Sequence, residues 1–124
     1  MGDKEQALTL FHRSIALNPN DVYAYYNEGF VLQKMGNFTG AILAYNQALK
    51  LTPHNDDTLY NKALALIGVA IQKEKPFETL REALKCFDNV LAINPQDKNA
   101  AYFKTLLIQI ITKYAPNMMT SGTR

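Results

Sequence analysis

Residues 22–53 read VYAYYNEGFVLQKMGNFTGAILAYNQALKLTP. Apolar side chains recur at helical spacing over residues 22–35 and again over residues 39–51. Gly36 separates the two runs, as a glycine just past a helix C-terminus does, and Pro53 cannot continue the second run because it lacks an amide donor. The stretch therefore predicts two helices joined by a tight turn.

The same pattern occurs three times along the chain. Three prolines, Pro19, Pro53 and Pro95, lie 34 and then 42 residues apart. An alanine stands 12 residues before each proline and an aromatic residue follows four positions later: Ala7 and Phe11, Ala41 and Tyr45, Ala83 and Phe87. Tyr26, Tyr60 and Tyr102 repeat with the same two offsets. Because these landmarks share one offset pattern, they indicate an internal repeat of helical hairpins.

This repeat resembles the tetratricopeptide repeat family, whose signature reads W-x2-L-G-x2-Y, then A-x3-F, then P. Counting Val22 as position 1, the matching residues are Tyr25, Gly29, Leu32, Ala41, Tyr45 and Pro53, while Glu28 departs from the usual Leu. The resemblance implies an all-α fold, a right-handed α-α superhelix of helix-turn-helix repeats with about six helices. It also implies that the protein is a protein–protein interaction module.

The boundaries follow from the repeat landmarks. We expect residues 3–21 to supply the second helix of an incomplete repeat, residues 22–55 one repeat, and residues 56–97 a second repeat extended to 42 residues. Residues 98–114 resemble a first helix, and residues 115–124 a flexible tail. The eight extra residues of the second repeat are most simply placed as about one added turn on each of its helices; a specialised partner-contact knob is the alternative.

One side of each first helix is predicted to face a partner. Positions 2, 5, 9, 12 and 13 lie opposite the side that packs on the second helix. In the resembled family these positions line a concave channel that binds peptides. The predicted groove residues, including neighbours at position 6, are Tyr23, Tyr26, Asn27, Phe30, Gln33, Lys34, Tyr60, Asn61, Leu64, Ile67, Tyr102 and Leu106. A structural alternative is that the position-5 tyrosines simply pack on the adjacent first helix.

The side chains in this groove indicate the chemistry of the partner. Aromatic and aliphatic residues at positions 5 and 9 favour an apolar or amphipathic peptide or helix. Some family members hold a peptide carboxylate with Lys, Asn and Arg, but the matching places here are Tyr26, Phe30, Asn61, Asn99 and Phe103. Since only Asn61 agrees, we expect no chaperone-type carboxylate clamp.

The terminal helices suggest an alternative function. Residues 3–17 resemble a second helix without its first, and residues 98–114 a first helix without its second. Docking of one upon the other would rebuild a repeat between molecules, giving a homo-oligomeric structural self-assembly element. The candidate self-association residues are Leu8, Phe11, Phe103, Leu107, Ile110 and Ile111.

Composition and motifs argue against several other classes. The 124 residues carry a net charge of +2 with dispersed basic residues, so we expect neither a nucleic-acid nor a membrane partner. His12, His54 and Cys86 have no ligand-spaced companions, and no glycine-rich phosphate loop is present. We therefore expect no metal, no cofactor and no enzymatic activity, and Cys86 should be a semi-buried small hydrophobe. A cytoplasmic location is the default expectation.

Overall fold

The fold is all-α in a computed structural model that describes residues 2–73 and 76–114. Within those residues the chain forms six helices: α1 (Gly2–Leu17), α2 (Val22–Lys34), α3 (Phe38–Leu51), α4 (Asp56–Gln72), α5 (Pro76–Ile93) and α6 (Lys98–Tyr114). The all-α prediction is confirmed. The predicted flexible tail, residues 115–124, lies outside the described residues.

Side-chain caps define where the helices begin. Asp21, Asn37 and Asn55 each accept a hydrogen bond from the backbone amide three residues onward, at 3.2, 2.9 and 3.1 Å. Asp97 does the same before α6, accepting from the amide of Ala100 at 3.0 Å. Such oxygens satisfy one of the amides that a helix N-terminus leaves unpaired. The polar residues that follow each proline therefore cap the start of the next helix.

The helices pack in chain order, each on the next. Helices α2 and α3 form one hairpin, α4 and α5 form the next, and α2 also contacts α4. The second hairpin is longer, with 17 and 18 residues in its helices against 13 and 14 in the first. The eight extra residues thus lie in both helices, about one turn each. The extension carries the end of α4 and the start of α5 beyond the first hairpin.

The core lies between the helices of each hairpin and the helix that follows. Phe87 is fully buried, and its ring stacks on Phe103 of α6 with centroids 5.6 Å apart. In the first hairpin Tyr45 is fully buried against Gly29, where an added Cβ would lie 2.6 Å from the tyrosine ring. The small residue at this position lets α2 and α3 approach closely. Cys86 is buried in the core of the second hairpin, more completely than the semi-buried position that the sequence predicts.

Helix α1 is attached differently, because it has no buried residue. Its half-buried residues, Leu8 and Phe11 among them, lie on the face that packs on α2. His12 Nε2 lies 2.6 Å from a carboxylate oxygen of Glu28, which is largely covered. Glu28 stands at the position where leucine was expected, so a polar contact replaces an apolar one between α1 and α2.

Candidate functional site

The first helices of successive units, α2, α4 and α6, share one open face. Phe30 is 41% exposed there, and Tyr23 is 79% exposed. Leu64, Ile67 and Leu106 are half-buried on the corresponding faces of α4 and α6. The ammonium of Lys34 lies 5.1 Å from the centroid of the Phe30 ring, within range of a cation–π contact. An apolar surface with a cation at its edge is therefore available to solvent.

Tyr26 links α2 to α4 and does not stand free in the groove. Its hydroxyl accepts a hydrogen bond of 2.9 Å from Nδ2 of Asn61. Its ring is tilted against that of Tyr45, with centroids 5.9 Å apart. Burial, with the Asp57 carboxylate, raises the pKa of Tyr26, although the Asn61 hydrogen bond opposes this shift. Tyr26 and Asn61 thus take part in the contact between the first and second repeats.

The three position-5 tyrosines differ in their surroundings. Tyr60 packs edge-on against Phe87 and Phe103, at centroid distances of 5.7 and 6.3 Å. Tyr102, at the same position of α6, has no following first helix among the described residues and is 64% exposed. The alternative that these tyrosines pack on the adjacent first helix is what the structure shows for Tyr26 and Tyr60. Tyr102 is the member of the set that is open to a partner.

Two other predicted groove residues also differ in whether their polar groups are free to contact a partner. Gln33 accepts a hydrogen bond of 2.7 Å from the hydroxyl of buried Tyr45, so its carbonyl oxygen is already engaged. Asn27, by contrast, is exposed and lines a hollow of about 330 Å³ with Tyr23 and Tyr26. The remaining lining residues of this hollow are Val22, Thr52, Asn55, Asp57 and Thr58.

A second hollow of about 450 Å³ opens between the C-terminal halves of α4 and α6. Its walls include Ile67 and Leu106, both predicted groove residues, and also Ile71, Lys73 and Leu80, which the sequence reasoning did not select. The missed residues belong to the extended second repeat. The insertion itself was the available signal, because it lengthens α4 past the point where the first hairpin ends.

The self-association residues require a correction. Leu107 and Ile111 are buried in the core, so they present no surface to another molecule. Leu8 and Phe11 are half-buried on α1, and Phe103 and Ile110 are half-buried against the core. The periodicity of α6 could not separate these faces, because apolar residues occur all round that helix. The large apolar residues left exposed on the two terminal helices are Leu10, Leu17, Tyr102, Ile108 and Tyr114.

Metal sites and membrane spans are both absent from the described part of the chain. No group of three or more His, Cys, Asp or Glu residues is placed to hold a metal ion there. None of its helices combines the length and the apolar character needed to cross a membrane. Burial raises the pKa of the Cys86 thiol, with neighbouring Lys62 acting in the opposite direction. Cys86 is thus a buried, protonated side chain at neutral pH.

The architecture defines a helical repeat protein of stacked hairpins. The family model described as "Tetratricopeptide repeat" matches residues 22–55, and a second, "TPR repeat", matches residues 1–36. The resemblance to the tetratricopeptide repeat family that the sequence predicts is confirmed by these two matches, which together cover residues 1–55.

Known relatives are similar in sequence to part of this chain. Human "Protein O-mannosyl-transferase TMTC3" is 33% identical over 105 residues, which are 85% of this chain and 11% of that protein. The chain spans about half or less of the length of four curated relatives that it matches. Because the similarity covers the repeats, the transferase activity in that name is not carried over to this chain.

Solved structures of similar fold include two domains with bound peptides. "First TPR of Spaghetti (RPAP3) bound to HSP90 peptide SRMEEVD" has a TM-score of 0.76 and 17% identity, covering 90% of this chain and 84% of that one. The second TPR domain of human RPAP3 in complex with the HSP70 peptide SGPTIEEVD has a TM-score of 0.73 and 21% identity, covering 86% and 82%. At these identities the likeness shows the fold.

These neighbours conflict with the expectation that no chaperone-type carboxylate clamp is present. Both domains hold chaperone peptides on the same fold. The five positions that were compared with the carboxylate clamp in the sequence do not include Lys34, an exposed cation beside Phe30 at the edge of the open face.

Proposed function

We propose that this protein is a scaffold-type interaction module whose open face on α2, α4 and α6 holds an apolar or amphipathic segment of a partner protein. The observation that carries the proposal is the exposure of Phe30 and Tyr102, which share the predicted groove positions 9 and 5 with half-buried residues of α4 and α6. Exposed apolar side chains that converge on one surface favour a binding site over a solvated one. The peptide complexes of two structural neighbours support the same general role.

The test is a titration of isotope-labelled protein followed by amide chemical shifts. Two synthetic probes are compared: an amphipathic helix with leucines along one face, and the peptide SRMEEVD. We expect the amphipathic helix to shift amides of α2, α4 and α6, and SRMEEVD to bind more weakly. Stronger binding of SRMEEVD would replace the apolar ligand class with a carboxylate-ended one.

A matched pair of variants separates the open face from the rest of the surface. Phe30→Ala removes an aromatic group from that face, whereas Leu43→Ala removes an exposed apolar group from α3. We expect Phe30→Ala to weaken binding of the amphipathic probe by about tenfold, since aromatic anchors dominate such interfaces. Equal effects of the two substitutions, or shifts confined to α3 and α5, would contradict the proposal.

Self-assembly is a second candidate, favoured by the apolar residues exposed on the terminal helices. Leu10 and Leu17 of α1 and Ile108 of α6 are uncovered in the single chain. Light scattering across a concentration series measures the mass directly. If these helices pair between molecules, the mass rises with concentration, and Leu10→Glu or Ile108→Glu returns it to that of one chain. A mass that stays constant at that of one chain excludes this candidate.

A further inference from the structure

The hollow between α4 and α6 lies at the level where a side chain of α3 fills the corresponding space between α2 and α4. Between α2 and α4 the Phe38 ring lies against Gly68, where an added Cβ would be 2.7 Å from the ring. In the repeat alignment, Leu80 takes the place of Phe38 and Ile110 the place of Gly68. The isoleucine side chain stands where the Phe38 ring lies in the first hairpin, so Leu80 cannot pack between α4 and α6 as Phe38 packs between α2 and α4, and the hollow remains.

The walls of this hollow are apolar, and its rim carries a cation. Ile67, Leu80, Leu106 and Ile110 line it, and Ile71 at its edge is 79% exposed. Its volume of about 450 Å³ lies within the usual range for ligand pockets. Lys73, the exposed C-cap of α4, also lines the opening. A ligand group that enters the hollow is therefore apolar, and a group beside it faces an ammonium.

Within the part of the chain that the structure describes, the charged side chain at the C-terminal end of each first helix is a lysine. Lys34 lies in the last turn of α2, Lys73 caps α4, and Lys113 lies in the last turn of α6. Helix α6 contains three lysines and no acidic residue. At the opposite ends of these helices stand Asp21, Asp57 and Asp97. The hairpins make α2, α4 and α6 run in the same direction, so the lysines lie along one edge.

We propose that the hollow binds a large apolar side chain of an amphipathic partner helix whose flank, on the side of Lys73, is acidic. The proposal rests on the proposed function and adds to it a pocket and the sign of the partner's charge. An acidic flank pairs with the lysine edge, while apolar groups of the same helix cover Ile71 and enter between Leu80 and Leu106. Charge complementarity fixes the direction in which the helix lies and raises its association rate.

The experiment measures the affinity of two fluorescent synthetic helices by anisotropy. Both have leucines along one face; one carries glutamates on the flanks and the other carries lysines at the same places. We expect the acidic helix to bind about tenfold more tightly at low salt, and the difference to shrink as salt screens the lysine edge. Equal affinities, or a preference for the basic helix, would overturn the proposal.

Five substitutions locate the binding. Lys73→Glu should weaken the acidic helix about fivefold, whereas Lys50→Glu, in the last turn of α3, should leave it unchanged. Leu106→Gln should weaken both helices, whereas Ile108→Gln, outside the hollow, should not. Ile71→Ser repeats the Leu106 test at a residue exposed enough to leave the fold intact. If Lys73→Glu and Ile71→Ser are silent, the hollow is not the site.

Two other occupants of the hollow, residues 115–124 and a second copy of the chain, would give distinct results. A chain that ends at Tyr114 should bind the acidic helix as the full chain does; a tenfold gain in affinity would show that residues 115–124 fill the hollow. A mass doubling that Ile71→Ser abolishes would assign the hollow to a second copy. Either result overturns the proposal. If Phe30→Ala weakens binding while Lys73→Glu and Ile71→Ser do not, the pocket assignment fails and the proposed function stands.

Discussion

Gly29 shows how one missing methyl group permits a buried aromatic contact. An added Cβ would lie 2.6 and 2.7 Å from two ring carbons of Tyr45, which is fully buried and donates a hydrogen bond to Gln33. We expect Gly29→Ala to destabilise the fold by about 1–3 kcal/mol, because overpacking outweighs alanine's better helix propensity. Urea unfolding measures this. Gly2→Ala, with nothing near its Cβ, is the control, and an equal effect there would contradict the packing argument.

Tyr45 also makes stability depend on alkaline pH. Burial, with Tyr26 nearby, raises its pKa well above the ordinary value of 10. The folded chain therefore keeps the phenol protonated where the unfolded chain loses its proton. This contribution to stability is complete below about pH 10 and is lost as pH rises from there towards the folded pKa, by at most about 1.4 kcal/mol per unit.

Tyr45→Phe tests this linkage. The variant should start about 1 kcal/mol less stable, having lost the hydrogen bond to Gln33, yet its free energy of unfolding should fall less steeply above pH 10. Urea unfolding at several pH values gives both quantities. Parallel curves for Tyr45→Phe and the unaltered chain would show that Tyr45 does not control the alkaline response.

At the scale of the helix, the turn between α2 and α3 depends on the backbone of one residue. Gly36 has φ of +81°, with open space around its Cα, so backbone strain alone sets the cost of a side chain. Gly36→Ala should cost about 1 kcal/mol, and Gly36→Asn less, because asparagine tolerates this conformation better. Thermal unfolding ranks the two variants. An alanine variant as stable as the glycine chain would mean that the turn relaxes to another geometry.

Sequence reasoning predicts the elements well because their determinants are local. Asp21, Asn55 and Asp97 act as caps through their own neighbours, and Gly36 is needed for its own φ. Helix α6 shows the limit of such reasoning. Its apolar residues occur on several faces, and only packing on α5 decides that Leu107 is buried while Ile108 is exposed.

The candidate site belongs to the whole molecule, and it was predicted less completely. Periodicity placed Tyr26, Tyr60 and Tyr102 at one repeat position, but their exposure depends on whether another first helix comes next. The hollow lined by Ile71 and Leu80 depends on two differences at once: a longer α4, and a leucine where the first hairpin has phenylalanine. Each difference can be read from the sequence, but neither predicts a pocket by itself, so only the assembled helices show it.

Stability is distributed unevenly over the assembled chain, with α1 at the weak end. It has no buried residue and packs on α2, where the His12–Glu28 contact is its polar link, whereas α4 and α5 hold much of the buried core. Amides of α1 should exchange with solvent through local opening that costs about 1–2 kcal/mol, while those of α4 and α5 should require global unfolding. Hydrogen exchange read by mass spectrometry distinguishes the two.

His12→Ala should increase exchange in α1 alone, and His54→Ala, in an exposed turn, should change nothing. Protection of α1 equal to that of α4 would contradict this account, because the contacts of α1 within the described residues do not supply it. Such protection, if it fell on dilution, would instead identify a second molecule covering Leu10 and Leu17. The same measurement thus decides between a single chain with a loosely held first helix and the self-assembled form.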